Sequence, residues 1–408
     1  MTKSLENITI HQFRGLRELE LKNLGQINLL VGINNSGKTS VLEALSIYCH
    51  PLDLKVWLNT ARQREQEYRV SRTPYLDSLQ WLFTHDAMIE QEKLNHGVIS
   101  ITGNGSFKVQ KIEAIYEELE GIILIDNPED KLHINQIISE ENEDLIDNNE
   151  DLWETRKGIN LSITVFMAQE QLISLINYPQ NPLKENYQLW ENSSLSRLSG
   201  KKEPSLLTSL VSPASHRSDI GQFRLLSEVR FANFKTDVID LLRQMDSNIS
   251  DLEILLPPHS LSSRFNIYIQ HEKLGLVPVS TFGDGVRRLL HIALKLASVK
   301  GGILFIDELE SAIHTETLQS SFNWLVKWCQ KMNVQLFATT HSLEAVDALL
   351  EVTERESDLV LYRLEPKENY TRVVRHDWTR LKSLREDLGQ EVRWFVGESR
   401  TYIDWSGR

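Results

Sequence analysis

Gly32-Ile33-Asn34-Asn35-Ser36-Gly37-Lys38-Thr39 follows an apolar run (Ile27, Leu29, Leu30, Val31) and precedes a helical pattern (Val41, Leu42, Leu45). Strand, glycine-framed loop and helix, in that order, make an anion cradle. Glycines let the backbone curl so that its N–H groups converge on phosphate oxygens. The helix adds the positive end of its dipole. The pattern G-x-x-x-x-G-K-T assigns Lys38 to the outer phosphates and the Thr39 hydroxyl to Mg²⁺. Gly32, Asn34, Asn35, Ser36, Gly37 and, at the helix start, Ser40 are the further candidates to line the phosphate chain. The motif predicts binding of a nucleoside triphosphate.

A distant strand offers the acidic half of such a site. Ile303-Leu304-Phe305-Ile306 is a continuous apolar run, as in a strand buried on both faces, and Asp307-Glu308 caps it. An aspartate there can hold the Mg²⁺ shell. A glutamate one step on can orient and deprotonate an attacking water as general base. Glu310 and His314 follow at a spacing that suits one turn of helix or loop and read as solvent-facing polar side chains. The next strand, 334–338, ends in Thr339-Thr340-His341-Ser342. Ligands of open α/β sheets gather at such carboxyl ends, and a histidine there can donate a hydrogen bond to a γ-phosphate. Upstream, Phe282-Gly283-Asp284-Gly285-Val286-Arg287-Arg288 leads into a helical pattern over 286–298. Gly283 and Gly285 thus form a second candidate cradle. One phosphate chain has little use for two cradles from the same subunit. A dimer uses both, each subunit lending its second loop to the other's nucleotide.

Composition restricts the partners. At 408 residues, with 41% hydrophobic and 25% charged residues, the chain is long enough for two or three ordinary domains and reads as globular. It shows no charged-then-apolar leader and no run of about 18 apolar residues. Cys49 and Cys329 are too few for a disulfide framework and belong to no metal-spaced cluster. A cytoplasmic protein without a membrane partner is expected. The net charge of −13 argues against direct DNA binding, which rests on Lys and Arg neutralising phosphates. Arg62, Arg64, Arg69 and Arg72 form a basic stretch, but Glu65 and Glu67 are interleaved. It reads as a solvated helix face.

Three regions emerge along the chain. Residues 1–125 hold the phosphate loop and several strands: Ile8, Ile10, Leu19 and Leu21 alternate, and Gly103-Asn104-Gly105 marks a hairpin. Residues 126–260 read as a helical and loop-rich insertion. It opens with an acidic stretch (Glu140, Glu141, Glu143, Asp144, Asp147, Glu150, Asp151) that has no regular ligand spacing. It also holds a helix over 223–246, with Leu225, Val229, Phe231, Phe234, Val238 and Leu242 on one buried stripe. Residues 261–408 alternate short buried strands with helices, the pattern of an α/β sheet.

The order of phosphate loop, glycine-pair loop, Asp-Glu strand and strand-then-His-Ser resembles the ABC-type ATPases of the SMC/RecF group. Within it, Phe13-Arg14-Gly15-Leu16, Gly32 to Thr39, Phe282 to Arg288, Ile306 to His314 and Thr339 to Ser342 look like the branch of OLD-family ATPases found in prokaryotic anti-phage systems. The resemblance covers roughly 5–50 and 265–350. It implies an α/β ABC-type P-loop ATPase core, a mixed sheet with flanking helices, interrupted by the insertion. It implies ATP and Mg²⁺ as ligands, with Lys38 and Thr39 on the phosphates and metal, Asp307 on the metal and Glu308 as catalytic base. His341 becomes the switch histidine, and Gly283 and Gly285 the signature loop that closes on another subunit's ATP. Arg14 is placed near the ribose or α-phosphate. The chain departs from the pattern at Gly283, where the usual signature has a serine. No glutamine of the Q-loop can be assigned, Gln80 being one candidate.

Full OLD nucleases continue into a metal-binding TOPRIM domain. After Leu350 this sequence carries a strand pair (358–363, 371–376) and a helix-like segment, without a glutamate-then-Asp-x-Asp array. The expected protein is an ATPase component like those of two-gene defence systems such as PARIS. It would assemble as a homodimer or larger homo-oligomer around ATP and hold a separate effector, such as a TOPRIM-type nuclease, until a phage-encoded trigger arrives. A RecF-like repair ATPase would instead bind DNA directly. A P-loop phosphotransferase would leave the glycine-pair loop and His341 without a role.

Overall fold

The apolar runs do become buried strands of one sheet. The computed structural model describes residues 3–66, 75–83, 96–124, 153–168, 182–190, 202–217, 221–256, 265–355 and 358–394. The chain divides into two units: residues 1–7, 19–42 and 206–408, and residues 8–18 and 43–205. The acidic stretch 140–151 lies outside the described residues, as do Arg69 and Arg72.

In chain order the elements begin with β1 (Asn7–Phe13), β2 (Leu16–Leu21), β3 (Ile27–Gly32) and α1 (Lys38–Cys49), followed by α2 (Leu54–Gln66) and α3 (Tyr75–Gln80). Then come β4 (His96–Asn104), β5 (Val109–Leu124), β6 (Trp153–Met167), β7 (Leu183–Trp190) and β8 (Thr208–Val211). Helices α4 (Gln222–Phe231) and α5 (Lys235–Arg243) precede β9 (Ile249–Leu255), β10 (Asn266–His271) and β11 (Gly275–Pro278). The rest is α6 (Asp284–Ser298), β12 (Ile303–Ile306), α7 (Thr315–Lys331), β13 (Gln335–Thr339), α8 (Leu343–Glu351), β14 (Leu359–Pro366), β15 (Thr371–Asp377) and α9 (Trp378–Lys382).

The first unit is built on a six-stranded sheet in the order β15-β14-β3-β13-β12-β8. Five strands are parallel and β15 closes one edge antiparallel. Register puts Ile306 beside both Ala338 and Val211, and Thr339 beside Leu30. The carboxyl ends of β3, β8, β12 and β13 therefore share one edge, where α/β sheets bind ligands. β3, β12 and β13 are buried at every position, as continuous apolar runs require. One apolar core joins these strands to α4–α8 and to a separate three-stranded sheet, β11-β10-β9. Helix α7 buries Leu318, Phe322, Leu325 and Cys329 along one stripe.

The second unit carries β4, β5, β6 and β7 as an antiparallel run within the sheet β2-β1-β4-β5-β6-β7. Alternation is clean: Ile159, Leu161, Ile163 and Val165 are buried, as are Ile112, Ala114 and Tyr116. Tyr48 donates its hydroxyl to the Val109 carbonyl, and Phe83 stacks on Trp57 and meets Tyr116.

Three readings need correction. The insertion is not simply helical and loop-rich: β6 and β7 pair with the hairpin of β4 and β5, so the sheet continues through the expected boundary at 125. Residues 75–80, at the start of a stretch to 125 whose pattern suggests strands, form a helix. The helix expected over 223–246 is two helices. Asn233 adopts φ 56°, a left-handed conformation that asparagine tolerates, and breaks the run. In consequence Phe231 is 90% exposed, while Phe234 beyond the break is buried.

Candidate functional site

β3 delivers the chain to the shared sheet edge, and the loop there needs its glycines. Gly32 has φ 154° and Gly37 φ 90°. A Cβ on Gly32 would meet Ser36 Oγ at 2.6 Å and the Leu364 carbonyl at 2.8 Å. Asn35 is also left-handed, at φ 61°. The curl is held by Ser36 N–H donating to the Ile33 carbonyl (3.2 Å) and Val41 N–H donating to that of Gly37 (2.9 Å). Ser36 and Ser40 are buried in it.

Lys38 is 5% exposed. Its ammonium donates to the carbonyls of Gly32 (3.0 Å) and Ile33 (2.9 Å) and to Ser36 Oγ (3.4 Å). Burial pushes its pKa down to about 8, opposed by the charges of Asp307, Glu308 and Glu310. A lysine held among carbonyls next to three carboxylates is a cation set for an anionic ligand.

Asp307 sits where β12 ends. Its Oδ2 accepts from Thr39 Oγ1 at 2.9 Å, and its Oδ1 from Thr339 Oγ1 at 2.6 Å. The phosphate loop, β12 and β13 are thus tied together through one carboxylate. Glu308 is exposed and left-handed, at φ 50°. That conformation costs on the order of 1 kcal/mol or more for a side chain with a Cβ, and its neighbours enforce it. Glu308 N–H donates to Thr339 Oγ1 (2.9 Å), Leu309 N–H to the Thr339 carbonyl (2.9 Å), and Ser311 N–H to the Glu308 carbonyl (2.9 Å).

Arg288 fixes the same turn from below. It is fully buried on α6, and its guanidinium donates to the carbonyls of Ser212, Asp307 (2.9 Å) and Glu308 (3.1 Å). Burial lowers its pKa to about 10, well inside the charged range. Replacing it removes three hydrogen bonds from a buried guanidinium, one of them to the Asp307 carbonyl at the head of the turn. Arg288→Met is expected to destabilise the protein by about 3 kcal/mol in urea unfolding.

His341 follows β13 and is exposed. Burial of its ring, then the nearby Lys38 charge, holds its pKa below the usual value, so it is neutral at pH 7 with one N–H to donate. Gly283 is the N-cap of α6, exposed, with φ −61° and nothing among the described residues within 4 Å of a Cβ built on it. Gly285 lies inside the helix's first turn rather than before it. There a Cβ would meet Met245 Cε at 2.7 Å and the Ala312 carbonyl at 2.9 Å. Its glycine is required by the chain's own packing.

Lys38, Thr39, Asp307, Glu308 and His341 all belong to the first unit, at or just beyond the carboxyl ends of its strands. Arg14 belongs to the second unit, where it pairs with the buried carboxylate of Glu43 (2.8 Å) beside Arg64 (2.8 Å). Gln80 ends α3, followed by exposed Trp81 and buried Leu82 and Phe83. His314 caps α7. Cys49 and Cys329 are buried free thiols. Among the described residues no helix is long and apolar enough to cross a membrane.

Sequence reading missed Thr339, Arg288 and Glu310. The first two stood inside motifs already quoted. In the sequence Glu310 looks like any solvent-facing carboxylate, yet its Oε1 accepts from the N–H groups of both His341 (3.1 Å) and Ser342 (3.2 Å).

A phosphate loop, an aspartate joined to its threonine, and a glutamate at the end of the same strand define a P-loop ATPase on an α/β fold with mixed sheets. The chain belongs to the AAA ATPase domain family, whose sequence profile matches residues 4–346. It is 22% identical over 372 residues to an ATP/GTP phosphatase of Helicobacter pylori, covering 87% of this chain and 89% of that protein. An uncharacterized protein of Methanocaldococcus jannaschii is 34% identical over 113 residues, 27% of this chain and 98% of its own length. A second from that organism is 57% identical over 44 residues, 11% of this chain and 20% of that protein. Among solved structures, an SMC head bound to the C-terminal winged-helix domain of ScpA gives a TM-score of 0.44 at 12% identity, covering 91% of this chain and 98% of that one. The SMC head domain of Thermotoga maritima gives 0.39 at 12% identity, with the same coverage of both chains.

Proposed function

We propose that this chain hydrolyses ATP with Mg²⁺ at a site completed by a second copy of itself, and that it serves as the sensor and scaffold of an anti-phage system. The observation that carries the hydrolytic part is Asp307, bonded at once to Thr39 of the phosphate loop and Thr339 of the neighbouring strand. Mg²⁺ is a hard ion that takes oxygen ligands, keeps several waters and shares phosphate oxygens. The Thr39 hydroxyl and Asp307 carboxylate supply two such oxygens, and among the described residues no fuller cluster of three or more metal-ligating side chains competes. These two would hold the ion, which would neutralise charge on the transferring phosphate. Lys38 binds the outer phosphates, Glu308 takes the proton of the attacking water, and neutral His341 donates to the γ-phosphate. The match to an ATP/GTP phosphatase supports the same reading.

Closure by a second copy is supported by Gly283. Its lack of a side chain is required neither by its φ nor by any neighbour among the described residues, whereas a close external approach of backbone to phosphate would require it. The defence role, with a separate effector such as a TOPRIM-type nuclease and a phage-encoded trigger, rests on the sequence resemblance alone.

Complementation tests the composite site. Gly283→Arg and Lys38→Ala are each expected to lack ATPase activity. Mixed in equal amounts they regain roughly a quarter of the parent rate, because mixed dimers hold one intact site. A Gly283→Arg protein of full activity, or a mixture as inactive as its parts, counts against it. Tight DNA binding that weakens steeply with salt would instead favour the RecF-like role.

A further inference from the structure

We propose that Glu310 and Arg393 are positioning residues that clamp the backbone of His341 from opposite sides, so that the C-terminal segment sets the rate of ATP hydrolysis. This rests on the reading of His341 as the residue that meets the γ-phosphate.

The peptide groups around His341 are held at both ends. On the amino side, Glu310 Oε1 accepts the N–H of His341 at 3.1 Å and that of Ser342 at 3.2 Å. On the carboxyl side, Arg393 Nη1 donates to the His341 carbonyl at 2.6 Å. Glu310 is two residues past the general base and moves with the Asp307–Glu308 turn. Arg393 is more than fifty residues away in sequence and arrives from the end of the described chain. His341 as a whole residue is exposed, so the direction of its ring depends on the backbone beneath it. Glu310 Oε2 is buried and makes no hydrogen bond among the described residues. A carboxylate kept half-satisfied in this way is costly and points to a role other than packing.

Arg393 is itself braced. Its Nε and Nη2 bond Glu391 Oε1 and Oε2 at 2.9 and 2.8 Å, and its guanidinium lies 4.1 Å over the Trp394 ring. The segment is docked eight residues further back, where Arg385 makes a two-pronged pair with Asp347 of α8 at 2.7 and 2.8 Å. Val392 sits in the core beside this pair of anchors. Helix α8 is N-capped by Ser342, the residue whose N–H shares Glu310 with His341. Segment, helix and histidine loop therefore form one connected frame. A planar fork that reaches two acceptors at once suits arginine and not lysine.

The test is a comparison of ATP affinity and turnover across single and double variants. Arg393→Ala and Glu310→Ala are each expected to lower kcat about tenfold while ATP Kd stays within about twofold, since a misplaced catalytic group costs rate rather than binding. Glu310→Gln keeps one oxygen acceptor and should recover most of the rate. His341→Ala is expected to lose about a hundredfold in kcat. Adding Arg393→Ala to it should cost nothing more, because a clamp without its histidine has no effect. Losses that multiply in the double variant would overturn the clamp while leaving the role of His341 intact. An unchanged rate in His341→Ala would overturn that role and the clamp with it. If Arg393→Ala does not fold, Arg393→Lys carries the comparison, with an intermediate rate expected and a parental rate against the proposal.

Discussion

Glu308→Gln is expected to bind ATP as tightly as the parent protein, or slightly more tightly, and to hydrolyse it at least a hundredfold more slowly. General-base groups contribute about 10²–10⁴ in rate, and the amide retains the size of the carboxylate while losing its basicity. The main-chain bonds of Glu308, its N–H to Thr339 and its carbonyl to Arg288, do not depend on the side chain, which is exposed. Removing one of the three negative charges around Lys38 also takes away repulsion toward the triphosphate. Under the composite-site proposal the variant accumulates with ATP bound and elutes from gel filtration as the assembled oligomer. Phosphate release within about threefold of the parent would assign the base to another residue.

The parts of this site legible in the sequence are those whose chemistry is local. A glycine loop between strand and helix, or an acidic pair after four apolar residues, announces itself in a single window. The phosphate loop, the Asp307–Glu308 strand and the strand before His341 all take the places expected of them in the sheet. What was not legible depends on residues that meet only in the folded sheet. Thr339 gains its role from register, because β13 lies beside β12 and brings its hydroxyl to Asp307. Glu310 was indistinguishable from a surface carboxylate until the following loop came to rest on it. Arg393 carries no motif at all. The fold was misread for a related reason. The stripe over 223–246 has helical period throughout, but one left-handed asparagine divides it and turns Phe231 to solvent. Periodicity reports which face of a segment is apolar and does not reveal where the backbone stops being helical.

Lys38→Ala is expected to weaken ATP binding by a hundredfold or more, the loss of charge-assisted hydrogen bonds to phosphate. The sharper test is pH. Burial brings the Lys38 pKa down to about 8, so the ligand-free protein begins to lose this cation just above neutrality. Phosphate binding favours the charged form, and each unit of pH above the pKa then costs about tenfold in affinity. Calorimetric titration should show ATP binding about tenfold weaker at pH 9 than at pH 7. In Lys38→Arg the dependence should vanish, because a guanidinium stays charged throughout. Stability must move the other way. The folded-state pKa lies below the value of 10.5 for a free lysine. Between about pH 8 and 10.5 the unfolded chain therefore holds the extra proton, and this residue's contribution to stability rises with pH. Affinity that falls while the ligand-free protein gains stability over the same interval is a signature that general alkaline damage cannot mimic. A flat affinity profile up to pH 9 would show that Lys38 keeps its proton, and that the three carboxylates around it outweigh its burial.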